Sequence, residues 1–515
     1  MGTLIWEILE ESEKKFSEIA AVKWLKKKEI YDRSYHDLME NVRAVRRGLS
    51  VEGFQGKHIA LIGNSSVEWI ESYLGIITGK FVAVPLDAML PLEDLADLIN
   101  RSDSKALFLS PKNQGLLEKI LADCPNLKKI WLLQEESAEF SDERISCLGE
   151  LKEIGKGEEI DLKCPEGGDT ATIIFTSGTT GKSKGVMLTQ ENLASNVLSV
   201  DFTLEPGTVI LSVLPIHHAF CLVMDWLKGF SLGVTVCIND SLMHMVKNMG
   251  IFQPEIILMV PLMVETIYKR LSAASPLIPK KLVASQAFGG NLRIIITGGA
   301  HLDPFYIEKF ADYGIDILEG YGMSECSPVI SSNTPKIHKA GSVGKPLSNA
   351  VVSFEDGEIL VKSTSVMKGY YKMPEETAET LRDGWLHTGD KGYLDEDGFL
   401  FINGRIKNLI ILSNGENISP EEIENKLALD KLVGEVIVTG ENNGLTARIY
   451  PDQDVVAAKH MSEEKIRTKL MAFLDKYNKT QPTYRRITGL VVRKHPFIKS
   501  TTKKIKREMA MIDEA

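Results

Sequence analysis

Apolar residues along this chain recur at helical and strand-like spacings, and the alternation of the two outlines the architecture. In residues 8–50, Leu38, Val42, Val45 and Leu49 fall on one face of a helix, and the whole stretch is expected to be helical. His58–Asn64 (HIALIGN) predicts a short buried strand, Ser65–Ile77 a helix, and Phe81–Asp87 (FVAVPLD) the next strand. Strand, helix and strand in so short a span is the signature of parallel βαβ units. Further strands are expected at Ala106–Leu109, Lys129–Leu133, Glu255–Val260 and Arg293–Ile296, with Pro261 suited to the first turn of a helix.

Two stretches read as connectors: residues 152–170, rich in Gly, Glu and Lys, and residues 331–350, rich in Ser, Pro and Gly. Strand patterns return around Val351–Val361 and Phe399–Ile402, with EDGE and DEDG as turn signals. After Arg405 the pattern restarts with a strand, a Gly-containing loop and a helix opening at SPEEIENKL. Ser419 is placed to cap this helix, Pro420 to occupy its first turn and Glu422 to complete a capping box.

Composition narrows the function classes. The 515 residues carry 60 Lys+Arg against 70 Asp+Glu, a net charge of −10, with 43% hydrophobic and 25% charged residues. That is ordinary globular composition, and it argues against a chain whose main task is to coat nucleic acid or anionic lipid. None of the six cysteines forms a CxxC pair, which excludes zinc-ribbon and thioredoxin-type readings and suggests a reducing compartment. The N-terminus lacks a basic region and reaches Glu7 too soon for a signal peptide, and Trp6 stands where myristoylation calls for Ser or Thr. The most apolar stretch, Phe220–Ile238, is broken by Asp225 and Lys228 and reads as buried helix and strand rather than a membrane span. A cytoplasmic location is expected.

The strongest chemical signal follows the apolar run Ile173, Ile174, Phe175. Thr176-Ser177-Gly178-Thr179-Thr180-Gly181-Lys182-Ser183-Lys184-Gly185 combines glycines that let backbone N–H groups approach an anion, hydroxyl donors, and two lysines. A Walker A loop would need glycine at Thr176, so that reading fails on spacing.

The decapeptide resembles the [ST]SGTTGxPKG signature of the adenylate-forming superfamily, which holds acyl-CoA synthetases, adenylation domains and firefly luciferase. Ser183 replaces its usual proline. Seven further segments match the family in order. LPIHHAF places His218 at the position that gates the acyl pocket; a metal site on His217-His218 is discounted, no carboxylate being adjacent in sequence. FGGNLRIIITGGAHL resembles the long-chain fatty acyl-CoA synthetase branch, with Gly299 and Ala300 against adenine. EGYGMSEC supplies Glu319, Gly320, Tyr321 and Gly322, with Tyr321 stacking on adenine, Ser324 facing the α-phosphate and Glu325 on Mg²⁺. Asp390 and Arg405, in DGWLHTGD and NGRIKNLI, match the residues that take the ribose hydroxyls and reach the nucleotide. SNGENISPEEIE would line the pantetheine tunnel at Gly415, and PFIKSTTKKIKRE places Lys504 as the catalytic lysine, with Lys503 where the family commonly has Gly.

The resemblance implies an α/β fold. A large N-terminal domain (1–405) of parallel sheets flanked by helices carries a small β-barrel-like subdomain; a hinge at 406–407, centred on Lys407, leads to a small mobile α+β C-terminal domain at 408–515. It implies an ATP-dependent ligase. The loop from Thr176 and Ser177 through Gly178, Thr179, Thr180 and Gly181 to Lys184 would hold the β- and γ-phosphates. Glu325 and Thr176 would be the Mg²⁺ ligands and Lys504 would bridge the carboxylate and the α-phosphate, giving an acyl-adenylate and pyrophosphate. Rotation of the C-terminal domain would then withdraw Lys504 and admit the thiol of coenzyme A. Amino-acid-activating relatives carry an Asp after the His position; here Ala219 and Phe220 follow His218, so a medium- or long-chain fatty acid is expected. The alternatives are an acyl carrier protein as acceptor, or a non-catalytic acyl-nucleotide sensor.

Overall fold

In the computed structural model, the described residues are 3–136, 140–157, 163–176, 183–411, 417–441, 444–499 and 505–510. The chain forms two compact units. The first comprises Met1–Ala300, Tyr306–Val352 and Val361–Leu386; the second comprises His301–Phe305, Ser353–Leu360 and His387–Ala515.

Two large sheets build the first unit. One runs, in spatial order, Lys345–Pro346, Val329–Ser332, Asp316–Gly322, Ile294–Thr297, Ile256–Met259, Val209–Ser212, Thr235–Ile238, Ala20–Lys26 and Glu29–Ser34. Its central pairings are parallel. The other runs Gly369–Tyr370, Lys184–Thr189, Thr170–Thr176, Val82–Leu86, His58–Ile62, Ala106–Leu109, Lys129–Leu132 and Ile145–Cys147. From Thr170–Thr176 to Ile145–Cys147 it too is parallel. Strands covered on both faces by helices lose all polar alternation. Ile59 to Ile62 and Ala106 to Leu109 are accordingly fully buried, each large apolar side chain contributing roughly 1.5–3 kcal/mol.

The expected strands lie where the apolar runs put them, and helix Pro261–Ser272 opens on its proline. Helix Val67–Ile77 starts at Ser66, whose hydroxyl accepts from the Trp69 N–H at 3.1 Å. Three expectations are corrected. Residues 8–50 are not one helix: Ile5–Phe16 and Tyr35–Val51 are helical, but Ala20–Lys26 and Glu29–Ser34 form an antiparallel hairpin between them. Its turn is Lys27-Lys28, both left-handed (φ 51° and 73°), a pair without the Asn-Gly signature that marks such turns. Residues 152–157 belong to helix Leu148–Gly157 rather than to a connector. This helix lies so close to Tyr35–Val51 that a Cβ on Gly155 would sit 1.9 Å from the Ala44 carbonyl oxygen, which explains the glycine content. In the second unit, helix Pro420–Leu427 begins at Ser419 but has no capping box: the Ser419 hydroxyl donates to Glu421, and Glu422 pairs with Arg485 instead.

A five-stranded sheet of order Ala350–Glu355, Glu358–Ser363, Trp385–Leu394, Leu381–Arg382, with Leu400–Arg405 also on Trp385–Leu394, forms the half-barrel that stands for the barrel-like subdomain. The second unit holds the sheet Val433–Glu441, Gly444–Pro451 and Ile487–Val492, packed with Pro420–Leu427 and Glu463–Lys479 around Ile423, Leu427, Leu445, Ile449, Ile466 and Leu470. Among the described residues no helix is long and apolar enough to cross a membrane.

One polar cluster lies under the first unit's helices. Lys152, 1% exposed, donates to Glu71 at 2.6 Å and Glu135 at 2.5 Å, and Arg33 reaches Glu71 at 3.0 Å. Burial pushes the Glu71 carboxyl up to about 7 against the pull of both cations. Lys152→Met should therefore cost about 3 kcal/mol at pH 8, since it strands a buried carboxylate. The loss should be smaller at pH 6, where Glu71 takes up a proton more cheaply; equal loss at both pH values in urea unfolding would contradict this.

Candidate nucleotide and acyl site

The phosphate-loop candidate sits on a hairpin. Strands Thr170–Thr176 and Lys184–Thr189 are antiparallel with Thr176 directly opposite Lys184, so the two polar positions singled out in the signature close its base. Ser177, Gly178, Thr179, Thr180 and Gly181 lie outside the described residues, as do Gly415 and Lys504. Arg101 donates to the Ser183 carbonyl at 2.7 Å and lies 5.8 Å over the Phe175 ring, clamping the point where serine replaces proline.

From Lys184 a connected path leads to Glu325. The Lys184 ammonium lies 4.8 Å over the Tyr370 ring, and the Tyr370 hydroxyl donates to Glu325 Oε1 at 2.8 Å. Burial and the Glu325 charge push the Tyr370 phenol well above its usual range, so it stays a donor. Strand Gly369–Tyr370 pairs with Lys184–Thr189, and the Glu325 carbonyl accepts from the Met367 N–H at 2.8 Å, so one short segment ties the two motifs together. Sequence reasoning missed Tyr370; two adjacent tyrosines after a glycine were the available signal.

The remaining motifs of the first unit meet at strand ends. Strand Asp316–Gly322 lies parallel to Ile294–Thr297, with Glu319 opposite Thr297. Beyond that pair, a Cβ on Gly298 would lie 3.1 Å from the Gly320 carbonyl oxygen and 3.6 Å from the Phe220 ring. Phe220 of LPIHHAF, the glycines ahead of Ala300 and the backbone before Tyr321 thus share one place. Tyr321, Gly322 and Ser324 are half-buried, Glu319 and Glu325 are buried, and Gly299 and Ala300 are exposed.

The His217 and His218 rings lie 4.3 Å apart between centres, tilted by 41°. No carboxylate adjoins them in sequence, but the fold brings Asp87, at the end of strand Val82–Leu86, to 3.6 Å from His217 Nε2. Burial, reinforced by His218, drives the His217 imidazole well below its ordinary pKa, so it is neutral. Among the described residues no group of three or more His, Cys, Asp or Glu is placed to hold a metal. Mg²⁺ usually keeps waters and substrate phosphates and takes only one or two protein carboxylates. Glu325, a single oriented carboxylate, suits an ion that arrives with a triphosphate.

After His218 the chain winds into a π-helix, Cys221–Lys228. Its Asp225 is fully buried, accepts from Ser212 at 2.8 Å and lies 3.5 Å from the Cys221 thiol.

In the second unit, Asp390 and Arg405 are cross-strand partners, with Arg405 Nε 2.8 Å from Asp390 Oδ1. Asp390 is 4% exposed and Arg405 projects into solvent, so the carboxylate is held in place by a cation that remains accessible. Lys407 lies in the one-turn 3₁₀ helix Ile406–Asn408, which Asn408 ties to Glu421 at 2.6 Å.

The family pattern of the AMP-binding enzymes matches residues 9–371, and that of the AMP-binding enzyme C-terminal domain matches residues 407–513. The chain belongs to the AMP-binding enzyme family. It is an AMP-forming acid–thiol ligase, a class that works with ATP, Mg²⁺ and coenzyme A. Long-chain-fatty-acid–CoA ligase 5 of Mus musculus is 31% identical over 495 residues, a match covering 84% of this chain and 71% of that protein. Long-chain-fatty-acid–CoA ligase FadD15 of Mycobacterium tuberculosis is 27% identical over 452 residues, covering 78% of this chain and 74% of its own length. Among solved structures, ATP-bound MatB from Rhodopseudomonas palustris superposes with a TM-score of 0.80 at 25% identity, covering 99% of this chain and 98% of that one. The anthranilate CoA ligase AuaEII with anthranoyl-AMP shares the fold, with a TM-score of 0.84 at 20% identity over 99% of this chain and 97% of that one.

Asp225 makes stability pH-dependent. Burial raises its carboxyl to about 7, so the folded state keeps a proton that the unfolded chain releases near pH 4. Its contribution is fully present below about pH 4 and is lost as the pH rises to about 7, by up to about 1.4 kcal/mol per unit. Asp225→Asn should flatten the urea-unfolding profile across that window; parallel profiles for variant and wild type would refute it.

Proposed function

We propose that this enzyme joins a medium- or long-chain fatty acid to coenzyme A through an acyl-adenylate. The observation that carries the reading is the continuous path from the phosphate hairpin through Lys184 and Tyr370 to Glu325. Phe220, Gly298 and Gly320 meeting at the adjoining strand ends adds to it. The fatty-acid preference rests on relatives named as long-chain-fatty-acid–CoA ligases and on the apolar segment after His218, where Leu222, Val223, Trp226 and Leu227 are all fully buried. It also rests on the absence of an acidic residue at Ala219 and Phe220, where an α-ammonium would need a partner.

The chemical problem is to bring a carboxylate and the α-phosphate of ATP, both anionic, into line. Catalysis is then largely positioning and charge neutralisation. In this reading the hairpin closed by Thr176 and Lys184 cradles the outer phosphates, and Tyr321 stacks on adenine next to Gly299 and Ala300. Ser324 donates to the α-phosphate, and Asp390, held by Arg405, accepts the ribose hydroxyls. Mg²⁺, where bound, offsets phosphate charge at Glu325. Lys504 approaches the carboxylate and the α-phosphate during adenylation and withdraws before the thiol enters past Gly415, the chain bending at Lys407. Separating the two steps in this way is a conformational device of the lid kind.

The test is pyrophosphate release from ATP and Mg²⁺ with a panel of carboxylic acids, with and without coenzyme A. Multiple turnovers with fatty acids only when coenzyme A is present are expected. A single turnover despite coenzyme A would transfer the assignment to an acyl carrier protein as acceptor, and no release with any acid would favour an acyl-nucleotide sensor. Lys504→Ala should abolish adenylation, by about 10²-fold or more, yet spare thioester formation from supplied acyl-AMP. Equal loss of both half-reactions would overturn its role.

A further inference from the structure

The catalytic role given above to Lys504 needs its backbone held to within a fraction of an ångström during one half-reaction. The described residues on either side of 500–504 are tied to each other and to the second unit. Lys499 and Ile505 form an isolated antiparallel bridge, and the Lys506 N–H donates to the Ile498 carbonyl at 2.8 Å, so both ends of the segment are fixed to each other. Two carboxylates then fix this pair of ends to the body of the second unit. Glu435, on strand Val433–Glu441, accepts from the Phe497 N–H at 2.8 Å with one oxygen and binds the Lys499 ammonium at 2.6 Å with the other. Glu424, on helix Pro420–Leu427, accepts from the Val438 N–H at 2.6 Å with one oxygen and binds the Arg507 guanidinium with the other. Glu421, on the same helix, lies 3.8 Å from Arg507.

These contacts differ from ordinary surface ion pairs. Glu424 is 9% exposed, and its two oxygens are divided between the sheet and the C-terminal segment. Charge-assisted bonds of this kind are short, directional and stronger than neutral ones. Ile437, Phe497 and Ala510 form a small apolar cluster with Ile505 packed on it. Arg493 covers it, its guanidinium 4.3 Å over the Phe497 ring and donating to the Ala510 carbonyl at 3.0 Å. Lys504 is bonded directly to Ile505, and Arg507 is three residues beyond it.

We propose that Glu424, through Arg507, and Glu435, through Phe497 and Lys499, are positioning residues for the adenylation half-reaction: they hold the two ends of the segment that bears Lys504. The inference rests on the role proposed for Lys504.

The experiment measures the two half-reactions separately in the full-length protein: acid-dependent pyrophosphate release, and acyl-CoA formation from supplied acyl-AMP. Glu424→Gln keeps an acceptor for the Val438 N–H and removes only the charge that holds Arg507. It should lower the kcat of adenylation about tenfold, with the KM for ATP and acid and the rate of thioester formation unchanged. Glu435→Gln should give the same split from the other end of the segment, and Arg507→Lys should retain more adenylation activity than Arg507→Gln. Equal losses in both half-reactions, or no loss in either, would overturn the proposal. Lys504→Ala is the control: if it abolishes adenylation while both glutamine variants keep full activity, only the clamp is refuted. If Lys504→Ala leaves adenylation intact, the reading of Lys504 itself fails and the clamp with it.

Discussion

Parallel strands expose no polar face, so a sheet built from them stands only when helices cover it on both sides. That constraint organises the first unit. It makes the runs Ile59 to Ile62 and Ala106 to Leu109 wholly apolar, and it draws helices so close that Gly155 meets the Ala44 carbonyl. It also sends every connection out at a strand end. The polar and glycine positions of the proposed site stand at such ends: Asp87 after Val82–Leu86, His217 and His218 after Val209–Ser212, Gly298 after Ile294–Thr297 and Tyr321 at the close of Asp316–Gly322. Residues from motifs far apart in sequence meet because their strands are neighbours, as Gly298 and Gly320 do.

Polar groups buried in this scaffold are handled in two ways. Glu71 and Glu424 are each given cations and hydrogen bonds, and even so burial raises both carboxyls to about 7. Asp225 accepts from a serine and lies beside a thiol, and burial likewise raises it to about 7. Near neutral pH these groups stand at the edge of ionisation, so the interior tolerates them at a cost that grows with alkalinity.

Much of the architecture was legible in the chain. Short apolar runs located the parallel strands because burial on both faces leaves no other composition available, and Pro261 marked a helix start by a mechanism confined to neighbouring residues. What failed depended on contacts distant in sequence or on unmarked turns. The Ala20–Ser34 hairpin turns on two lysines, Glu422 is taken by Arg485 instead of its own helix end, and Lys152 looked like linker charge until Glu71 was set beside it. The site shows the same division. The motif residues could be identified from their order, but Tyr370, which joins Glu325 to Lys184, and Asp87, which faces His217, became visible only when the sheets were assembled.

In the proposed reaction a fatty acid is activated as its adenylate before any thiol is involved. Exchange of labelled pyrophosphate into ATP tests it most directly, because the label enters ATP only by reversal of adenylate formation. Exchange should require Mg²⁺ and a medium- or long-chain fatty acid and proceed without coenzyme A. Absence of exchange with every fatty acid, or exchange that appears only when coenzyme A is present, would contradict it.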